Sequence, residues 1–250
     1  MMFSLGPRGS TPTLLRMDRV LGMPRVNFAE ELTVASNGLL AEAGLVRAQL
    51  SRTIASLEKR DAGMAQEVIE GDDRVDDIYL ATQSRVLNLI ALQAPVAKDL
   101  RLVSAILHSN VHVERMGDLC VNIAKFVQSG HPYPPDSPMV HRLVEMGARA
   151  DDMLEVAMTA FSSSDAELAE QLPIKDSVLD RLNRGMLDEL KDYAGDEEAF
   201  EWATNLILVA RYLERFGDHA VDIGEQTAFL VTGLMREFTD ASHPEGEDYR

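Results

Sequence analysis

The stretch VERMGDLCVNIA at residues 113–124 returns 100 positions later as LERFGDHAVDIG at residues 213–224. Each copy contains Glu-Arg-x-Gly-Asp, so a glutamate and an aspartate stand four residues apart. In an α-helix that spacing is about one turn and places both carboxylates on the same face. A segment repeated at this distance indicates that the chain consists of two related halves.

Helical periodicity dominates both halves. In the first predicted helix, apolar residues recur at intervals of three, four or seven and form one stripe. That stripe consists of Leu32, Leu39, Ala43, Val46, Leu50, Ile54 and Leu57. The second and third helices are predicted at about 62–92 and, after Pro95, to about 128. No segment alternates with a period of two long enough to form a sheet, so the predicted fold class is all-α.

The second half repeats this pattern after a linker. Residues 129–138 contain four prolines and are the clearest linker in the chain. Further helices are predicted to about 161, at 165–193 and at about 197–235, and Pro173 is expected to kink or delay the middle one. The domain prediction is a flexible extension (1–23, with Met17 or Met23 as alternative starts), two halves (24–128 and 139–237) and an acidic disordered tail (238–250).

Composition restricts the function classes. The net charge of -17 disfavours nucleic acid, anionic membranes and direct phosphate binding, and it suits cations or basic protein patches. A single cysteine, Cys120, excludes an internal disulfide and fits a reducing cytoplasm. We expect neither a signal peptide nor a membrane span, because no run of about 18 uninterrupted apolar residues occurs.

The repeated carboxylates lie on apolar helix faces. On a helical projection Glu114 lies near Leu107 and Val121, and Glu214 has the same relation to the corresponding residues of its helix. An earlier helix in each half carries a second pair of acids at the same spacing. Burying unpaired carboxylates is costly, so these acids favour a bound cation. The predicted metal ligands are Asp72, Asp76, Glu114 and Asp118 in the first half, and Asp176, Asp180, Glu214 and Asp218 in the second.

Other interpretations of these acids stay open. They are also able to pair with nearby arginines (Arg101, Arg115, Arg211 and Arg215) or to face solvent. Gly117 and Gly217 leave room for a neighbouring helix or a metal cluster inside each motif. Asp73 and Asp77 point away from the apolar face and are expected to be surface charges.

The histidines fit no established ligand pattern. His219 is a candidate additional ligand of the second site, although Leu119 replaces it in the first copy. His108 and His112 are expected to have packing or surface roles. None of the histidines follows a glutamate by three residues, which argues against a ferritin-like di-iron enzyme.

The sequence resembles the PhoU family of phosphate-signalling proteins. The resemblance covers about residues 24–238 and rests on both Glu-Arg-x-Gly-Asp motifs, the earlier acidic pairs and the segment QAPVAKDLR at residues 93–101. It implies two tandem three-helix bundles with internal pseudo-symmetry. It also implies metal clusters on the acidic motifs, with iron, zinc, manganese and magnesium all possible.

The same resemblance implies a cytoplasmic, non-enzymatic accessory protein. Such proteins restrain phosphate uptake and the phosphate-starvation response by linking the phosphate ABC transporter to a sensor histidine kinase, and they form dimers or larger oligomers. This sequence departs from the family pattern at Tyr79 and Asn183, where a further acid is common. One turn after the main motif it has Asn122 in the first copy and Asp222 in the second.

Two other functions remain as alternatives. The first is a metal-independent helical adaptor, whose acids contact basic surfaces of partner proteins. The second is a carboxylate-metal hydrolase or oxidase, which the missing histidine ligands disfavour.

Overall fold

Eight α-helices make up most of residues 25–238 and 248–249, the part of the chain that the computed structural model describes. They are α1 (Arg25–Lys59), α2 (Ala62–Gly71), α3 (Asp73–Gln93), α4 (Ala97–Gln128), α5 (Pro138–Ser163), α6 (Ala166–Ala169), α7 (Leu172–Leu190) and α8 (Glu197–Thr232). A 3-10 turn at Lys191–Tyr193 follows α7, and β1 (Met235–Arg236) pairs antiparallel with β2 (Asp248–Tyr249). The all-α prediction is confirmed.

The helices form two three-helix bundles. In the first, α1 packs on α3 and α4, and α2 packs on α1 and α4; in the second, α5, α7 and α8 pack on one another. Contacts of α1 with α5 and of α4 with α8 join the bundles. Two tandem bundles with internal pseudo-symmetry were expected, and the structure confirms them. None of the helices in the described ranges combines the length and apolar character that a membrane crossing requires.

The helix boundaries depart from the prediction at two places. The helix predicted at 62–92 is interrupted at Asp72, which ends α2 after Gly71 and also precedes the first residue of α3. The segment predicted at 165–193 splits into α6 and α7, because Pro173 in the first turn of α7 has no N–H to continue the preceding helix. The last helix ends at Thr232, where Gly233 adopts a left-handed conformation with φ of 76°.

The predicted ends of the chain fall mainly outside the described residues. This applies to the flexible extension at 1–23 and to the acidic tail, apart from Phe238 and residues 248–249. Phe238 is buried, and its backbone N–H donates to Oε1 of Glu225 at 2.8 Å. The predicted linker is helical only at its last residue, Pro138, where Ser137 caps α5 by accepting from the N–H of Val140.

The apolar stripe of α1 is the spine of the first bundle. All seven predicted stripe residues are buried, and Leu39, Val46 and Leu57 have no exposed surface. Glu42 is on the same stripe and is also fully buried. An acidic side chain therefore lies inside the bundle at a place where apolar packing is expected.

Candidate metal centre

The four acids predicted for the first half meet between α3 and α4. Burial raises the pKa of Glu114. The negative charges of Asp118, Asp76 and Asp72 raise this pKa further, and the positive charge of Arg115 lowers it. Burial also raises the pKa of Asp72, although a hydrogen bond from Gln49 opposes this. We call Glu42, Asp72, Asp76, Glu114 and Asp118 the first acidic cluster.

Glu42 is the member that the sequence reasoning missed. Its side chain is fully buried, and neither carboxyl oxygen accepts a hydrogen bond from the described part of the chain. Burial, together with the charges of Glu114 and Asp76, raises its pKa to about 9. The sequence contained a signal for its burial. Glu42 follows Leu39 by three residues and precedes Val46 by four, which places it on the apolar stripe of the helix.

The second half gathers its four predicted acids between α7 and α8. Asp176 and Glu214 are buried, whereas Asp180 and Asp218 lie closer to solvent. Burial raises the pKa of Glu214 to about 7; Asp218 and Asp180 add to the rise, while Arg211 opposes it. Burial likewise raises the pKa of Asp218. We call Asp176, Asp180, Glu214 and Asp218 the second acidic cluster.

Arginines neutralise part of this charge at the edges of the clusters. Arg115 lies 3.6 Å from Glu114 and 3.4 Å from Asp118, and Arg211 forms an ion pair with Glu214. Both arginine side chains are more than half exposed, so each pair contributes little stability. Oε2 of Glu214 is buried and accepts no hydrogen bond from the residues that the structure describes.

The glycine of each motif brings two helices close together. A Cβ on Gly117 would lie 3.3 Å from Oδ1 of Asp72, and a Cβ on Gly217 would lie 3.2 Å from Oδ1 of Asp176. The aspartates approach the motif helix closely because the glycines have no side chain. This agrees with the room that the sequence analysis expected inside each motif.

The surroundings of the two glycines also show where the halves differ. Gln49 and Asp72 flank Gly117, while Met153 and Asp176, each 104 positions later, flank Gly217. In the first cluster Nε2 of Gln49 donates to Oδ1 of Asp72 at 2.9 Å, and methionine has no such donor for the second. By the same spacing Glu42 corresponds to Met146, which is buried and apolar. The second cluster therefore has no counterpart of the fifth acid.

The donor atoms of both clusters suit a hard cation. All are carboxylate oxygens, which Mg²⁺, Mn²⁺ and iron ions accept readily, and the unpartnered buried oxygens of Glu42 and Glu214 fit such an ion. Within the described ranges, neither cluster has three ligand atoms all within 4.8 Å of one another. The carboxylates of each cluster are thus spread more widely than the ligands of a one-ion site.

The remaining polar residues of the motifs lie elsewhere. Asp73 and Asp77 are exposed, as the sequence analysis expected, and Cys120 is fully buried. His219 contacts His112, with 3.2 Å between the two Nδ1 atoms. His112 was expected to have a packing or surface role, and the structure adds a contact with a histidine of the other bundle.

Comparison with known proteins decides the family. The PhoU domain model matches residues 39–127 and 143–227, one match in each bundle. The chain belongs to the PhoU family. It is 32% identical over 208 residues to a phosphate-specific transport system accessory protein PhoU homolog of Caulobacter vibrioides, covering 83% of this chain and 90% of that protein. A homolog from Pseudomonas aeruginosa is 33% identical over 222 residues, or 86% of this chain and 88% of the relative.

Solved structures of the family share this fold. The crystal structure of PhoU from Pseudomonas aeruginosa superposes with a TM-score of 0.76 at 32% identity, covering 82% of this chain and 99% of that one. The phosphate transport system regulatory protein PhoU from Streptococcus pneumoniae gives the same TM-score at 28% identity, covering 83% and 98%. The resemblance inferred from the acidic motifs is confirmed.

Glu42 makes the stability of the metal-free protein depend on pH. Its pKa is about 9 in the fold against 4.5 in the unfolded chain, so between these values the folded state holds a proton that the unfolded state releases. The free energy of unfolding therefore falls as pH rises from about 5 to 9, by at most about 1.4 kcal/mol per pH unit from this group. Glu42→Gln should make that fall shallower, measured by urea unfolding with chelator present.

The control is Glu30→Gln, which removes an exposed glutamate from the same helix. It should leave the pH dependence of the wild-type protein unchanged. A Glu42→Gln variant whose stability falls as steeply as that of the wild type would show that Glu42 is not a buried, protonated acid.

Proposed function

We propose that this protein is a non-enzymatic accessory protein of phosphate-specific transport whose two acidic clusters bind metal ions. The observation that carries the proposal is the PhoU domain match in both bundles. Relatives that are about 30% identical over most of their length are named as accessory proteins of that transport system. Those names describe an accessory protein of transport and mention no catalytic activity.

The metal part of the proposal is supported by the buried carboxylates of Glu42, Asp176 and Glu214, beside which the other predicted acids are partly buried, or exposed in the case of Asp76. Asp72, Asp76, Glu114 and Asp118, with Glu42, would hold ions in the first cluster; Asp176, Asp180, Glu214 and Asp218 would hold them in the second. Iron, manganese, magnesium and zinc are the candidate ions. A bound cation supplies the positive charge that lets these acids ionise while their helices stay packed. The metal would thereby stabilise each bundle and fix the surface around each motif.

The regulatory part of the proposal goes further than the names of the relatives. The protein would act in the cytoplasm, as a homodimer or larger oligomer, between the phosphate ABC transporter and a sensor histidine kinase. By coupling the two it would lower phosphate uptake and repress the starvation response when phosphate is abundant. The net charge of -17 supports docking to basic patches on these partners.

A metal-independent adaptor is the second candidate function. The arginines at the cluster edges favour it, because Arg115 already lies within 4 Å of both Glu114 and Asp118. In that case basic groups of a partner would complete the neutralisation of the acids. The metal content of the purified protein distinguishes the metal-binding function from the metal-independent one.

Removing the main acidic pair of one half should remove its metal. In Glu114→Ala/Asp118→Ala, elemental analysis of protein purified without chelator should show a lower metal content than the wild type. The melting temperature should fall as well, since a ligand at 100 times its Kd stabilises a fold by about 2.7 kcal/mol. Asp73→Ala/Asp77→Ala is the matched control, because it removes two exposed acids with the same spacing from α3.

Equal metal content and melting temperature in the Glu114/Asp118 variant and the wild type would contradict the site assignment. A wild-type protein that holds no metal even after reloading would favour the adaptor.

The regulatory role is tested in the organism that encodes the protein. Deleting its gene should raise phosphate uptake and the activity of a starvation-responsive promoter in phosphate-rich medium, and the wild-type gene should reverse both. The Glu114→Ala/Asp118→Ala gene should restore repression less well than the Asp73→Ala/Asp77→Ala gene at equal protein level. Unchanged uptake and promoter activity after deletion would overturn the proposed regulation.

A further inference from the structure

Three side chains from different bundles meet where α4 packs against α8. His112 is on α4, and His219 and Asp222 are on α8. The two Nδ1 atoms are 3.2 Å apart, and Oδ2 of Asp222 lies 3.2 Å from Nδ1 of His112 and 3.4 Å from Nδ1 of His219. The three atoms form a nearly equilateral triangle. Within the described ranges, this group alone brings three possible metal-binding atoms within 4.8 Å of one another.

Hydrogen bonds do not satisfy all three contacts of this triangle when Asp222 is a carboxylate. If both histidines carry a proton on Nδ1, two N–H donors face each other. If only one carries it, the other nitrogen presents its lone pair to the carboxylate oxygen. Every arrangement of protons therefore leaves one contact between two donors or between two acceptors.

A metal ion satisfies all three atoms at once. Zinc binds imidazole nitrogen and carboxylate oxygen at about 2.0–2.2 Å, and tetrahedral geometry then separates two ligand atoms by roughly 3.3 Å. The observed separations of 3.2, 3.2 and 3.4 Å match one face of such a tetrahedron. The side chains of His112 and His219 are also largely shielded from solvent, with exposed fractions of 23% and 18%.

The neutral imidazole ring, which has a free lone pair, is the form of histidine that binds metals.

We infer that His112, His219 and Asp222 form a mononuclear site for Zn²⁺ or a similar first-row divalent ion, with the fourth position open to water. Its nitrogen ligands distinguish this site from the acidic clusters, whose oxygen ligands suit harder cations. It adjoins the second cluster, because His219 and Asp222 both act electrostatically on Asp218. On α4, His112 is about 200° around the helix from Glu114. Because its ligands come from both bundles, a bound ion would tie α4 to α8.

The site occurs once in the chain and does not follow the internal repeat. The counterparts of its ligands in the other copy are Tyr212 for His112, Leu119 for His219 and Asn122 for Asp222. None of these three residues is a usual zinc ligand. The site is therefore a feature of the junction between the bundles.

Cobalt tests this inference, because Co²⁺ in a tetrahedral site with nitrogen ligands absorbs visible light much more strongly than Co²⁺ in octahedral oxygen sites. The full-length protein, freed of metal with chelator, should bind one equivalent of Co²⁺ with this absorption, and Zn²⁺ should abolish the signal. His112→Ala and His219→Ala should each weaken Co²⁺ binding by at least about 100-fold, since even groups that only support a ligand account for 10–100-fold.

Two controls separate this site from general effects. His141→Ala removes an exposed histidine from α5 and should keep the signal. Glu114→Ala/Asp118→Ala disrupts the first acidic cluster and should also keep it. If an alanine variant loses helix content by circular dichroism, His112→Gln replaces it, because glutamine keeps a polar side chain at that position.

Three results would overturn the inference. They are a wild-type protein without the strong absorption, a signal that survives both histidine variants, and a signal that disappears with the Glu114/Asp118 pair.

Discussion

Carboxyl groups lie between packed helices in both halves of this protein, and the arrangement depends on how their charge is compensated. Removing an ionised carboxylate from water is costly unless a positive charge or hydrogen-bond donors replace the water. Exposed arginines reach only the edges of the clusters, and Glu42 has no donor among the described residues. The remaining choices are a proton or a cation. Proton binding would keep Glu42 neutral, in line with the raised pKa that burial gives it, whereas a metal would allow the acids to ionise together. In either case, the stability of the bundles depends on the pH or on the metal concentration of the solution.

The two halves have the same arrangement of helices and acidic motifs but differ in the residues that surround the acids. Both use a motif glycine to bring an aspartate of a neighbouring helix against the motif helix. In the first half Gln49 donates to that aspartate, and Glu42 adds a fifth acid. In the second half methionines occupy the corresponding positions, while Asp222, which acts on Asp218, replaces Asn122 of the first half. The clusters therefore differ in where their acids lie and in the neighbours of those acids, which favours different numbers of ions, or different ions, in the two bundles.

The sequence predicted the features that depend on local spacing. The fold class, the stripe of α1 and the facing acids follow from helical periodicity and a repeated motif, both of which are visible in one dimension. The interruption at Asp72 was missed because the flanking residues keep helical periodicity across it. Glu42 was missed because it has no acidic counterpart in the second half. His112 and His219 were missed as a pair for a related reason: comparison of the repeats aligns equivalent positions, whereas these residues are not equivalent and meet only where the two bundles pack.

The central claim is that metal ions neutralise the acidic clusters. Anomalous diffraction from crystals of the metal-loaded protein, recorded above and below the absorption edge of the bound metal, tests it most directly. The account predicts anomalous peaks within bonding distance of Glu114 and Asp118 in one bundle and of Glu214 and Asp218 in the other. Peaks absent from both clusters, with the carboxylates instead contacting arginines or basic groups of a neighbouring subunit, would contradict it.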